Sequence, residues 1–447
     1  MMNMDHREAT KTILTLEEAN VHFVRLQFVD ILGSPKNIVI PANRIEEAFD
    51  SGINFDASSI AGYATIDESD YVAMPDPKTL AILPEVLEKH KTAKVNCDIY
   101  EPGGKRYDGD TKYALEKVMK KAEDMGYVYN TGPECEFFLF KRDAEGRATM
   151  TPNDSAGYFD LSHRDLAEGV RGDISLALDE MGFSVYTAHH ECAKGQHEIN
   201  FHYADAVTTA DRVITLKYVT KVIAAKHNLY ASFMPKPVFG TAGSGMHVNQ
   251  SLSTLDGENV FNDPASKDGL SKVAHNFIAG LLEHIKPMTG LLNPTVNSYK
   301  RLVPGYEAPT YIAWAHRNRS ALIRIPSQRG KATRCELRSP DPSGNPYLQF
   351  AVMLAAGLDG IKRNLEPGEP EEKDIYSMTE DERKKRGIEH LPLNLGHSIV
   401  CLEGSELIKN TLGRHIFDNF LHVKNREWED YRMQVTKWEM DRYFPVI

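Results

Sequence analysis

Pro133-Glu134-Cys135-Glu136-Phe137-Phe138-Leu139-Phe140 sets two carboxylates inside an otherwise apolar run. In an extended strand Glu134 and Glu136 share one face, while Cys135, Phe137 and Leu139 take the other. A strand this apolar is expected to be buried on at least one side. Two like charges ~4 Å apart repel by about 4 kcal/mol at an effective dielectric near 20, before any desolvation cost. Something positive has to compensate, unless the segment is an edge strand with both glutamates in water.

Three further stretches point the same way. His189-His190-Glu191-Cys192-Ala193-Lys194-Gly195-Gln196-His197-Glu198 reads as a hairpin whose two strands deliver Glu191 and Glu198 to one place. Gly243-Ser244-Gly245-Met246-His247 offers a histidine after a flexible loop, and Arg334-Cys335-Glu336-Leu337-Arg338 puts Arg, Glu and Arg on one strand face. A lone strand histidine is more often a satisfied core residue than a ligand. Together, however, Glu134, Glu136, Glu191, Glu198, Glu336 and His247 suit two hard divalent cations, Mg²⁺ or Mn²⁺. No thiolate cluster indicates zinc. Paired cations of this kind commonly clamp a phosphoryl group.

Residues 299–338 are rich in guanidinium groups: Arg301, Arg317, Arg319, Arg324, Arg329, Arg334 and Arg338, with Lys300 and Lys331 among them. Arginine matches carboxylate and phosphate oxygens with a planar fork and stays charged in a dry site. Either these residues form surface ion pairs with the acidic excess, or they line a cavity for a polyphosphate and a small dicarboxylate. Neither GxxxxGK[ST] nor GxGxxG occurs, so a bound nucleotide would need another architecture.

Around these motifs the chain alternates in the β manner over 20–41, turning at Asp30–Lys36, and a short helix is expected at Arg44–Asp50 before Gly52. Short strands follow over 77–100, and Glu101-Pro102-Gly103-Gly104 marks a boundary before a helix over 111–125. A second helix is expected over 209–227, capped by Thr208 or Thr209, with Ile214, Tyr218, Val222 and Ala225 in register. Residues 184–203 and 319–340 read as strands, and the chain turns helical after 345. The expectation is an α+β fold: a small β-rich unit over 1–104, then a large unit over 105–447 with helices against an antiparallel sheet.

With 447 residues, 41% hydrophobic and 26% charged, the composition is that of a globular protein. A net charge of −11 argues against nucleic acid or an anionic membrane as partner. The polar start and the lack of a long apolar run argue against a leader or a membrane span, and Leu348–Leu358 reads as a buried helix. Five scattered cysteines without a CxxC pair fit free thiols in the cytoplasm.

Along nearly its whole length the chain resembles type I glutamine synthetases, in the shorter subtype. The matching stretches are Phe55-Asp56-Ala57-Ser58-Ser59-Ile60 with Glu68-Ser69-Asp70, Glu134-Cys135-Glu136, and Gly243-Ser244-Gly245-Met246-His247. Lys300-Arg301-Leu302-Val303-Pro304-Gly305-Tyr306-Glu307-Ala308-Pro309, Asn318-Arg319-Ser320 and Glu336-Leu337-Arg338-Ser339-Pro340-Asp341 follow. The resemblance implies a β-grasp-like N-terminal domain and a catalytic domain of the glutamine synthetase/guanido kinase type. It also implies a dodecamer of two hexameric rings, with sites between neighbouring subunits and the C-terminal helices reaching the opposite ring.

The activity it implies is ATP-dependent condensation of ammonium with L-glutamate. Glu136, Glu191 and Glu198 match the ligands of one metal; Glu134, His247 and Glu336 match those of the other. Arg301 matches the residue that holds the glutamate α-carboxylate, with Gly243 in the same loop. Arg319 and Arg338 match groups at the transferring phosphoryl, while Ser251, Arg324, Lys331 and Arg334 match nucleotide contacts, beside Asn249. Asp56, from an adjacent subunit, matches the group that binds ammonium and takes its proton, and Glu307 matches the flap over the site. Ala242 and Asn249 depart from the family's usual Asn and His. Metabolite effectors or a small regulatory protein are compatible with such an enzyme, but no motif encodes them. Two rival readings are a γ-glutamyl–amine ligase of the same fold and a catalytically silent structural relative.

Overall fold

The computed structural model describes residues 6–63 and 70–447. Glu68 and Ser69 of the second quoted motif lie outside the described residues.

The expected α+β arrangement is present. The first sheet has six strands: β1 (Phe23–Val29), β2 (Pro35–Pro41), β3 (Ile53–Asp56), β4 (Asp70–Pro75), β5 (Ala81–Ile82) and β6 (Thr92–Tyr100). Its order is β2-β1-β6-β4-β3, with β5 also on β6. The β1–β2 hairpin pairs Phe28 with Lys36, and Val24, Leu26 and Phe28 turn into the core as their alternation requires. The short helix expected near 44–50 spans Ile45–Ser51 and ends on Gly52, whose φ of 70° suits glycine. A helix at His6–Glu18 had no counterpart in the sequence reading; it buries only Ala9, Thr12 and Leu16.

The second sheet is built on β7 (Tyr127–Arg142), which extends well beyond the apolar run at both ends. Its neighbours are β8 (Ala148–Pro152), β9 (Val185–His190), β10 (Gln196–Phe201), β11 (Ala204–Asp205), β12 (Leu229–Ser232) and β13 (Met246–Thr254). β14 (Tyr311–Ile312) pairs with Glu389–His390 in a separate ribbon. β15 (Trp314–Ala315), β16 (Ile323–Arg324) and β17 (Cys335–Leu337) complete the order β15-β16-β17-β13-β7-β10-β9. All these pairings are antiparallel except β15–β16. Only short strands occur within 319–340, because loops and one helical turn at Gly330–Ala332 interrupt them.

Cys135, Phe137 and Leu139 point into the main core beneath helices Thr111–Asp124 and Ala206–Lys226. The latter starts earlier than expected because Asp205, not Thr208 or Thr209, is its cap, accepting from the Val207 and Thr208 amides at 3.1 Å each. Its buried stripe runs through Val213, Leu216, Thr220 and Ile223, and Ala225 is exposed. Leu348–Leu358 lies in the helix Pro346–Arg363, almost wholly buried.

Asn345 caps that last helix through the Tyr347 amide at 3.0 Å, and its Nδ2 reaches back to the Asp30 carbonyl at 2.9 Å. A cap and a buried inter-element hydrogen bond are each worth about 1 kcal/mol. Asn345→Ala is therefore expected to cost ~2 kcal/mol, read as a lower urea midpoint with unchanged secondary structure.

Candidate active site

Strand register explains how residues far apart in sequence meet. β10 pairs Glu198 opposite Glu136, and β13 pairs His247 opposite Glu134 on the other side of β7. One strand further, Glu336 faces Asn249 across β13–β17, and Arg324 faces Glu336 across β16–β17. The alternation that buries Cys135 and Phe137 thus turns Glu134 and Glu136 to the opposite side of the sheet, over a cavity of ≈ 360 Å³. All six expected ligands, Glu134, Glu136, Glu191, Glu198, His247 and Glu336, line it, together with Glu307, Arg319, Arg324 and Arg338.

Donor atoms of Glu134, His247 and Glu336 lie within 4.8 Å of one another, as do those of His189, Glu191 and Glu198. Such spacing suits an ion with ligands ~2.1–2.4 Å away. Glu136 belongs to neither group of donor atoms, although it lines the same cavity; its Oε2 accepts from Gln196 Nε2 at 2.8 Å and the Gly245 amide at 2.9 Å. Burial and the neighbouring Glu191 push its carboxyl up to about 8. Burial, then Glu136, Glu134 and Glu191, raise Glu198 well above the carboxylate range. His247 is pushed down to about 3 by burial and Arg338, which leaves the neutral imidazole that a metal requires. Crowded carboxylates, a neutral histidine and no thiolate in either group fit hard divalent cations.

His189 was not anticipated. Its Nε2 lies 3.0 Å from Glu191 Oε1, and the i, i+2 spacing of the two residues was a signal for it. Tyr158 and Cys192 also line the cavity without having been singled out. The Cys192 thiol lies 3.6 Å from Glu307 Oε2, and Glu307 itself has φ 60°, an uncommon backbone state for a residue with a side chain.

A second cavity of ≈ 470 Å³ adjoins the first through Glu134 and is lined by Asn249, Ser251, Lys331 and Arg334. Asn249 donates to Glu134 Oε1 and accepts from Arg334 Nε, both at 2.9 Å, so its amide links the two cavities. Arg324 faces the first cavity, where it pairs with Glu336.

On the other flank, Gly243, Arg301, Glu307 and Arg338 surround a small crevice of ≈ 30 Å³. Arg301 is 2% exposed, and its hydrogen bonds go to the carbonyls of Arg338, Ser339 and Pro340. Among the described residues no carboxylate forms a direct ion pair with it, and only the more distant Glu136 and Asp341 offset its charge, so a buried guanidinium faces the crevice. A Cβ on Gly243 would stand 2.2 Å from the Pro235 carbonyl, and one on Gly245 2.5 Å from Arg301 Nη2; only glycine leaves the loop this close. Ala242 packs in an apolar cluster with Phe138, Phe140 and Ala193.

Arg317 and Arg329 belong instead to a separate cavity of ≈ 990 Å³ beside Trp314. Asp56, at the end of β3, is not among the residues lining the ≈ 360 Å³ cavity of its own chain.

Comparison with known proteins gives a consistent result. The family model for the glutamine synthetase β-grasp domain matches residues 20–102, and that for the glutamine synthetase catalytic domain matches 108–443. The glutamine synthetase of Clostridium saccharobutylicum is 52% identical over 428 residues, 96% of each chain. That of Methanosarcina mazei is 50% identical over 432 residues, 97% of this chain and 96% of its own. Among solved structures, the GmaS/ADP complex superposes with a TM-score of 0.88 at 34% identity, covering 97% of this chain and 99% of that one.

Proposed function

Because this chain belongs to the glutamine synthetase family, whose members are ATP-dependent ligases, we propose that it condenses ammonium with L-glutamate to give L-glutamine, ADP and phosphate. The observation that carries this reading is the single cavity in which six metal-type ligands meet Arg319, Arg324 and Arg338, flanked by the buried Arg301, which has no direct ion-pair partner among the described residues.

In this reading the γ-carboxylate of glutamate attacks the terminal phosphate of ATP, releasing ADP and forming γ-glutamyl phosphate, since a bare carboxylate is a poor acyl donor. Arg301 holds the α-carboxylate beside Gly243. Arg319 and Arg338 offset charge on the transferring phosphoryl oxygens. Asn249, Ser251, Arg324, Lys331 and Arg334 hold the nucleotide and its phosphates. Glu136, Glu191 and Glu198 hold one Mg²⁺ or Mn²⁺, and Glu134, His247 and Glu336 a second. When bound, these ions supply positive charge to the phosphate oxygens. Asp56 takes a proton from ammonium, and Glu307 closes over the acyl phosphate to exclude water.

We further assign residues 1–104 and 105–447 to separate domains. Support comes from the limits of the two family matches and from a hydrophobic cluster drawn, Tyr107 apart, from the first unit, while Val29, Leu83 and Leu87 of that unit join the main cluster. A ring in which Asp56 serves a neighbour explains its absence from its own cavity. Exposed Trp438, Met440 and Tyr443 in the helix Lys437–Tyr443, with Met433, Phe444 and Ile447 beside it, give the C-terminal segment apolar surface for a two-ring dodecamer. No helix among the described residues is long and apolar enough to cross a membrane, which fits a cytoplasmic enzyme.

The test is phosphate release from ATP with Mg²⁺ and glutamate, comparing ammonium, hydroxylamine and a panel of amines. Release dependent on ammonium, with glutamine as product, is expected. Activity only with a larger amine would overturn the reading in favour of a γ-glutamyl–amine ligase, and silence with every amine would favour a structural role.

A further inference from the structure

Under the β9–β10 hairpin lies a buried polar cluster that none of the three cavities around the active site includes. Asp154 follows β8 by two residues, and its side chain and that of His190 are both 0% exposed. One Asp154 oxygen accepts from His190 Nε2 at 3.0 Å and from the Gly195 amide at 2.9 Å; the other accepts from Asn153 Nδ2 at 3.1 Å. The remaining His190 nitrogen, Nδ1, donates to the Glu191 carbonyl at 2.7 Å. Both ring nitrogens of His190 thus meet oxygen atoms, one of the Asp154 carboxylate and one of the Glu191 backbone.

The turn from Glu191 to Gly195 is therefore tied to one buried carboxylate at both ends. At its last residue the tie is direct; at its first it runs through the imidazole. Glu191 lies just beyond the end of β9, where only its own amide, bonded to the Gln196 carbonyl at 2.7 Å, continues the ladder. A ligand on a turn keeps its aim only if the turn's backbone is held, because small displacements weaken coordination.

We propose that Asp154 and His190 are positioning residues that clamp this turn and so aim the Glu191 carboxylate at the metal it shares with Glu198. The inference rests on the metal-site reading given under the proposed function.

The same cluster, with His197, brings three donor atoms within 4.8 Å of one another. Arg171 opposes a cation there: its Nη1 lies 3.1 Å from His197 Nδ1, and its other end pairs with Asp165 at 2.6 Å. With Arg171 donating to Nδ1, the His197 proton sits on Nε2, the atom a metal would need.

The test is Mn²⁺ titration of the full-length protein, followed by the free-ion paramagnetic signal, alongside thermal melting. Wild type is expected to show two classes of site. Asp154→Asn should weaken one class by about 10- to 100-fold and leave the Glu134–His247–Glu336 class within about twofold. His190→Asn, which retains a donor near the Glu191 carbonyl, should recover part of what His190→Ala loses, and this pair gives the answer if Asp154→Asn does not fold. Equal weakening of both classes, or a lower melting temperature with Mn²⁺ binding unchanged, would overturn the clamp. A stoichiometric metal retained by wild type and lost from Asp154→Asn would replace it with a third metal site. Wild type that binds no Mn²⁺, or Glu191→Ala that binds it like wild type, would refute the metal-site reading instead.

Discussion

Asp56→Ala is expected to lower glutamine formation at least ~100-fold while leaving Mn²⁺ and nucleotide affinity unchanged, since a positioned base contributes about 10²- to 10⁴-fold. Asp56 is fully exposed, and hydrogen bonds from Ser58 hold its carboxyl below the usual range, so it is ionised at neutral pH. An ionised carboxylate at the end of β3 can attract ammonium and accept its proton, yet it does not face its own chain's cavity. The loss should fall on the second half of the reaction. Glutamate-dependent phosphate release without ammonium should persist near the wild-type level, and its stimulation by ammonium should vanish. The comparison needs ADP, phosphate and glutamine measured in the same samples. If Asp56→Ala loses metal affinity and amide formation in equal measure, Asp56 is a structural residue and the proton acceptor lies elsewhere.

The carboxylates were legible because polar residues inside apolar strands contradict their surroundings. Glu134 and Glu136 announce themselves in that way, and β pairing then leaves few places where Glu198 and His247 can go. Arg301 was legible only as one of a run of arginines and through the family motif, and its lack of a direct ion-pair partner needed coordinates. Tyr158 could not be found, since it sits in a loop whose approach to the cavity depends on long-range packing rather than on a repeat. In His189-His190-Glu191 the alternation does separate the first histidine from the second. Nothing local, however, says that His190 meets Asp154, which lies two residues past the end of β8. The Thr208 and Thr209 caps failed for a simpler reason: an aspartate three residues earlier competed for the same role and won. The large cavity beside Trp314 was invisible because its walls come from the loop at 266–268, the helix Lys272–Leu292, β15 and the loop after the helix Pro346–Arg363.

The second large effect is expected from Glu336→Gln. Glu336 is 1% exposed; its Oε2 takes the Arg324 guanidinium and its Oε1 lies 3.3 Å from Arg338 Nε and 3.7 Å from His247 Nδ1. Glutamine keeps the volume and one acceptor, which avoids leaving a cavity beside Arg324 and the buried Arg338, but it removes the charge on which both guanidinium groups and, in the proposed reading, the ion depend. Losing several kcal/mol of phosphoryl-charge stabilisation corresponds to about 10³-fold or more in kcat. One class of Mn²⁺ site should disappear, and the Glu136–Glu191–Glu198 class should remain. Combining this variant with Asp56→Ala separates the two halves of the site. Within the ring reading, each variant alone is inactive, because every site lacks either its ligand or its proton acceptor. Co-assembled from mixed subunits, some sites draw Asp56 from a Glu336→Gln subunit and a complete ligand set from an Asp56→Ala neighbour. Activity should therefore return, up to about one quarter of wild type for random mixing at equal amounts if each site takes one Asp56 from one neighbour. No recovery in oligomers shown to contain both subunits would mean that Asp56 does not act across the interface, whatever the two single variants do.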